Sequence, residues 1–157
     1  MNNQNEFMDA AIELSLQGSA SNEGGPFGCV IVKDGKIIGR GNNAVTSIND
    51  PTAHAEVMAI RNACQNLGSF QLSGCEIYTS CEPCPMCLGA IYWARPDKVY
   101  YANTHHDAAN AGFDDAFIYD EISCEPSKRK IPMIHLPNEQ ALNVFKMWIE
   151  KSDKIKY

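Results

Sequence analysis

Three cysteines crowd into one heptapeptide, Cys81-Glu82-Pro83-Cys84-Pro85-Met86-Cys87, and no other stretch limits what this chain can fold into as strongly. The prolines predict a helix from Pro83 to Arg95, ended by Pro96, so Cys84 and Cys87 stand three apart on one helical face. The positive end of that helix favours both thiolates, which is how a metal is gripped. Asn49-Asp50-Pro51 predicts a second helix, capped and running to Gly68, with His54 and Glu56 in its first turns. The fold must therefore bring two helix starts to one point. One His and two Cys leave the fourth position of a tetrahedral zinc open for water, and an open position implies chemistry. Glu56, two residues beyond the histidine, is the carboxylate available to carry a proton. Residues two apart do not share a face in mid-helix, but both can project around a helix end. The alternative is a closed structural knuckle with Cys81 as fourth ligand, which would have no need of an acid beside its histidine.

The rest of the chain supplies a frame for these two helices. Phe7, Met8, Ala11, Ile12 and Leu14 recur at helical spacing, predicting an amphipathic helix over about 5–17, followed by a loop over 18–25. Phe27 to Val32, the turn Asp34-Gly35 and Ile37 to Arg40 form a β-hairpin signal. Cys75 to Thr79 and Lys98 to Ala102 flank the Cys84 helix as strands, so part of the sheet is parallel. Beyond Ala102 the pattern weakens: loop over 107–112, a short helix over 113–122, a strand over 131–136, and a last helix over 138–152. The order of elements predicts an α/β fold in three layers, a mixed central β-sheet with helices on both faces, in one domain spanning 1–157.

Composition narrows the partners. Thirteen Lys and Arg against nineteen Asp and Glu give a net charge of −6, so the mean field repels a phosphate backbone and argues against nucleic acid. The short run Lys128-Arg129-Lys130 reads as a solvated loop. Met1 to Glu6 carries no charged and apolar leader, no stretch approaches a membrane span, and seven cysteines is an odd number. The expectation is a cytoplasmic protein without a membrane partner, its thiols reduced, with Cys29, Cys64, Cys75 and Cys124 as ordinary buried thiols.

His54-Ala55-Glu56 together with Pro83-Cys84-Pro85-Met86-Cys87 matches the signature of zinc nucleobase deaminases. More narrowly, Gly25 to Gly28, Asn49 to Glu56, Thr79 to Cys87, Ile91 to Pro96 and Ala111 to Asp115 resemble the small bacterial guanine deaminases of the cytidine-deaminase-like fold. The likeness runs over most of 7–122. It implies one zinc per subunit on His54, Cys84 and Cys87, with Glu56 and Asp115 as the catalytic carboxylates. It implies a guanine pocket with Asn43 donating to the base carbonyl, Ala55 at the helix start, Phe27 and Trp93 enclosing the flat ring, and water as co-substrate. It also implies a homodimer in which the segment 138–157, ending on Tyr157, is exchanged to close the partner's pocket. Asp115 also suits a helix cap, and Asn43 a turn. A transfer-RNA adenosine deaminase, a cytosine or cytidine deaminase, and a zinc-stabilised binding module stand as the rival assignments.

Overall fold

The computed structural model describes residues 3–157; Met1 and Asn2, part of the N-terminal stretch read above, lie outside it. The chain divides into two compact units, Met1–Asp115 and Ala116–Tyr157.

The first unit is built on a four-stranded sheet in the order β2-β1-β3-β4. β1 (Gly28–Lys33) and β2 (Lys36–Asn42) form the hairpin, joined by Asp34 and Gly35 with φ of 49° and 72°. Two consecutive left-handed residues are what a two-residue turn needs to match strand twist. β3 (Cys75–Cys81) pairs antiparallel with β1, and β4 (Lys98–Asn103) pairs parallel with β3.

Alternation along the strands feeds two cores. Cys29 and Ile31 of β1 and Cys75 and Ile77 of β3 face α2 (Ala55–Leu67) and α3 (Pro85–Ala94), where Ala55, Ala59, Ala63, Ile91 and Ala94 complete the cluster. Val30, Val32 and Tyr78 face the other way, against Ala11, Phe7 and Leu14 of α1 (Asn3–Ala20). Each of the buried Ile and Val side chains contributes about 1.5–3 kcal/mol of transfer free energy. Helices thus cover both faces of a mixed sheet, the three-layer α/β arrangement that the order of elements implies.

α2 lies unusually close to the sheet because both surfaces are small. A Cβ on Gly41 would sit 2.3 Å from the Ala55 carbonyl oxygen, so only glycine lets β2 meet the first turn of α2 at this distance. That approach sets where the helix start points.

Several element boundaries differ from the sequence expectation, each for a local reason. α2 begins at Ala55 rather than near Pro51, because Asp50 Oδ1 accepts from the Thr52 N–H and hydroxyl at 2.8 and 2.7 Å and closes a turn of its own. Its C-terminal end is as expected, with Gly68 left-handed at φ 61°. α1 runs on to Ala20, into the expected loop. Residues expected as loop after Ala102 include α4 (His105–Asn110), started by a capping box between Thr104 and Asp107. Among the described residues no helix is long and apolar enough to cross a membrane.

The second unit holds α5 (Ala116–Ser123), a 3-10 turn at Pro126–Lys128, and α6 (Glu139–Glu150). Asn138 caps α6, its Oδ1 accepting from Gln140 N–H at 2.8 Å and Ala141 N–H at 3.3 Å. Residues 131–136 are irregular, not the strand expected: their apolar side chains are exposed, and no strand of the sheet pairs with them. The basic run is tied down within the unit: Lys128 pairs with Glu125, Arg129 donates to the Ile122 carbonyl, and Lys130 lies over the Phe117 ring. All seven cysteines are free; Cys29 and Cys75 are buried, Cys64 is half-buried, and Cys124 is exposed rather than buried.

Candidate active site

His54 is the N-cap of α2 and Cys84 the N-cap of α3, each with extended backbone. Two helix starts therefore converge, and Cys87, one turn into α3 and fully buried, points back to the same place. His54 Nδ1 lies 3.5 Å from Cys84 Sγ and 3.5 Å from Cys87 Sγ. A tetrahedral ion bonded at about 2.0–2.3 Å spaces its ligand atoms by roughly 3.3–3.8 Å, so these separations fit zinc without rearrangement. The three donor atoms lie within 4.8 Å of one another, a grouping that does not include Cys81. Cys81 turns aside to the Thr104 carbonyl at 3.6 Å, and burial pushes its thiol up to about 11. Three protein ligands with a fourth position open is the catalytic arrangement rather than the closed one.

Protonation fits the same assignment. The Cys84 thiol is pulled down to about 4, first by hydrogen bonding from Cys87 and then by His54. Cys87 moves the other way, because it donates to Cys84 and is buried beside Glu56. His54 is raised, chiefly by its contact with the Cys84 sulfur. One thiolate, one thiol and an imidazole leaning toward its charged form are a ligand set holding protons in the place of a cation.

Glu56 is the second residue of α2 and is 5% exposed. Because α2 begins so late, His54 and Glu56 flank the helix end, and the two-residue spacing that would separate them in mid-helix brings them together. Burial raises the Glu56 carboxyl, opposed by its own backbone N–H and by Cys87. Its Oε1 accepts from Thr79 Oγ1 at 3.1 Å, and Oε2 lies 3.3 Å from Cys87 Sγ. Sequence reasoning missed Thr79, since a threonine in a strand carries no signal beyond β-propensity.

The remaining candidates are distributed unevenly. Asn43 is buried; its Oδ1 accepts from the Gly25 and Val45 N–H groups, both at 3.2 Å, which fixes the orientation of the amide. Asn43 N–H donates to the Phe27 carbonyl at 3.0 Å, and the Phe27 ring meets Phe113 edge-on at 5.0 Å. Ala55 is fully buried as the first residue of α2. Asp115 is half-buried, and its carboxyl is raised by burial and by the charge of Cys84. Its own charge in turn adds to the raising of His54, after the larger effects of Cys84 and Glu56. Trp93 is not brought to the cluster: it is 66% exposed, and nine residues along the helix from Cys84 amount to about 13 Å. Tyr157 belongs to the second unit and is exposed.

Residues 1–103 match the family described as the cytidine and deoxycytidylate deaminase zinc-binding region. The chain is 55% identical over 155 residues to guanine deaminase of Bacillus subtilis (strain 168), covering 99% of each. The X-ray structure of guanine deaminase from Bacillus subtilis superimposes with a TM-score of 0.95 over 98% of both chains. The tRNA-specific adenosine deaminase of Aquifex aeolicus (strain VF5) is more distant, at 36% identity over 80% of this chain and 81% of its own. With the His54, Cys84 and Cys87 triad and the buried Glu56 in place, the chain belongs to the zinc-dependent deaminase family defined by the cytidine and deoxycytidylate deaminase zinc-binding region.

Proposed function

We propose that this protein hydrolyses guanine to xanthine and ammonia, with zinc held by His54, Cys84 and Cys87. The observation that carries the substrate assignment is near full-length identity of 55% to a guanine deaminase, and the half-buried Asp115 is the carboxylate assigned to the base. Guanine presents a ring N–H and an exocyclic amine as adjacent donors, and the two oxygens of one carboxylate accept both. Adenine and cytosine offer no such pair. Asn43, its oxygen already engaged, offers Nδ2 to the guanine carbonyl, and Phe27 covers one side of the base.

Bound zinc supplies a Lewis acid that makes water acidic near neutral pH. Glu56 takes the proton released by that water at Oε2 and delivers it to the ring nitrogen beside the carbon under attack. The hydroxyl added at that carbon then gives its remaining proton to Glu56, which passes it, directly or by way of Asp115, to the exocyclic amine; the C–N bond breaks, a carbonyl forms and ammonia leaves. Burial raises the Glu56 carboxyl, which suits a group that must take up and hand on protons. The Ala55 N–H, at the first position of α2, has no intrahelical partner and is available to the developing charge.

The working form in this proposal is a homodimer. Leu88, Tyr92 and Trp93 of α3 and Leu142, Val144, Phe145, Met147 and Ile149 of α6 are all exposed in one chain, which is more apolar surface than a lone domain ordinarily leaves open. A second copy covers it, with Trp93 and the segment 138–157, including Tyr157, completing the partner's pocket. Seven free cysteines suit a reducing compartment such as the cytoplasm.

Ammonia release from guanine, adenine, cytosine, cytidine, guanosine and an anticodon stem-loop, measured in parallel on zinc-loaded protein, tests the assignment. Turnover of free guanine, abolished in Glu56→Ala with zinc still bound, is expected. Inosine formed in the RNA with guanine untouched would assign the chain to transfer-RNA editing instead.

A further inference from the structure

A buried carboxylate that exchanges protons works only if its oxygens are aimed. In Glu56 that aim is set by few groups. Thr79 Oγ1 donates to Oε1 at 3.1 Å, Cys87 Sγ lies 3.3 Å from Oε2, and the residue's own backbone N–H adds a further hydrogen bond. The Cys87 contact depends on a thiol proton. A cation held by His54, Cys84 and Cys87 displaces that proton, and a thiolate cannot donate to a carboxylate. Among the described residues, Thr79 is then the side chain left donating to Glu56.

Its placement suits that task. Thr79 lies in β3 opposite Cys29 of β1 and Tyr101 of β4, so its backbone is fixed from both flanks. It is 1% exposed and β-branched, which restricts its χ1 torsion. Its row on that face of β3 is otherwise Cys75, Ile77 and Cys81, all buried. An aliphatic side chain there would pack without the cost of burying a hydroxyl, and Glu56 is the acceptor that repays the hydroxyl's presence.

We propose that Thr79 is a positioning residue for the deamination, its hydroxyl holding Oε1 of Glu56 so that Oε2 is the oxygen left to exchange protons. The role rests on Glu56 being the proton carrier, as proposed above.

Thr79→Val removes the hydroxyl and keeps the shape; Thr79→Ser keeps the hydroxyl. The readouts are guanine kcat and KM, zinc per chain, thermal midpoint, and the Glu56 conformation in crystals of zinc-loaded protein. For Thr79→Val, kcat is expected to fall by about 10- to 100-fold with KM and zinc content nearly unchanged, because misplacing a reacting group costs on that order. Thr79→Ser is expected to restore most of the rate, and the Glu56 carboxylate to be displaced in the valine variant alone. If Thr79→Val loses its zinc or its fold, Thr79→Ala, which also lacks the hydroxyl, takes its place with the same fall in kcat expected. A kcat within about twofold of wild type, well short of the loss expected for a misplaced group, overturns the proposal. So does an unmoved Glu56 carboxylate. Should wild-type protein leave guanine untouched, the substrate assignment fails, and the crystallographic comparison still decides the role of Thr79.

Discussion

Proton bookkeeping at the cluster ties three residues together. Before a metal binds, Cys84 is a thiolate and Cys87 keeps its proton. His54 is raised, so part of its population is charged at neutral pH. All three must be deprotonated to ligate, so loading releases the Cys87 proton and a fraction of the His54 proton. Calorimetry of zinc binding near pH 7, in buffers of different ionisation enthalpy, is therefore expected to count between about one and two protons released per ion. Because protons leave on binding, affinity rises with pH. A count of zero would mean that both thiols are already ionised and His54 already neutral in the free protein. At this scale the ligands and Glu56 were legible, since metal chemistry needs particular residue types at particular spacings. Thr79 was not, because its hydroxyl acquires meaning only from a residue on another element.

The helix starts depend on local hydrogen bonds that compete with helix extension. Asp50 spends its side chain on Thr52, which delays α2 until Ala55 and leaves His54 as an extended cap free to aim its ring. Sequence reasoning found the helix and its glycine stop but not the delay, because Asp before Pro suits a helix cap and a tight turn equally. The capping box of α4 stands in the sequence as Thr104-x-x-Asp107, but the helix it starts is only six residues long, too short to show an apolar period. Between β3 and α4 a second local pairing operates. Glu82 Oε2 accepts from the His105 N–H at 2.9 Å and meets His105 Nδ1 at 2.7 Å. The His105 N–H, and then its ring, hold the Glu82 carboxyl below its ordinary value. A carboxyl depressed on folding stabilises the native state above its unfolded pKa of about 4.3, and that stabilisation is lost as pH falls through the lower folded value. Thermal midpoints of wild type and Glu82→Gln are therefore expected to differ above about pH 5 and to converge in more acid solution. A difference that stayed constant with pH would mean that the pairing is not what depresses Glu82.

At the scale of the whole chain, the two units divide the labour that the proposed function requires. Met1–Asp115 contains the sheet, both cores, the metal ligands, Glu56, Asn43 and Asp115, and its signals were strong because its strands alternate and its helices carry motifs. Ala116–Tyr157 was legible only as helices. An amphipathic pattern says that a face needs covering but not what covers it, and the apolar face of α6 remains exposed in one chain. The exchange of 138–157 between subunits proposed above therefore has a sharp consequence. Deleting residues 150–157 removes the last residue of α6 and everything after it, and touches none of the groups that bind metal or build the sheet. Zinc content is expected to stay at one ion per chain. Guanine turnover at low substrate is expected to fall by about tenfold or more, since an unclosed pocket leaves base and water loosely oriented. Mixing the truncated chain with one carrying Glu56→Ala separates exchange from closure within a subunit. If the tail serves the partner, mixed dimers pair an intact cluster with an intact tail and recover activity. If it serves its own chain, each subunit keeps its own defect, and the mixture is no more active than its parts.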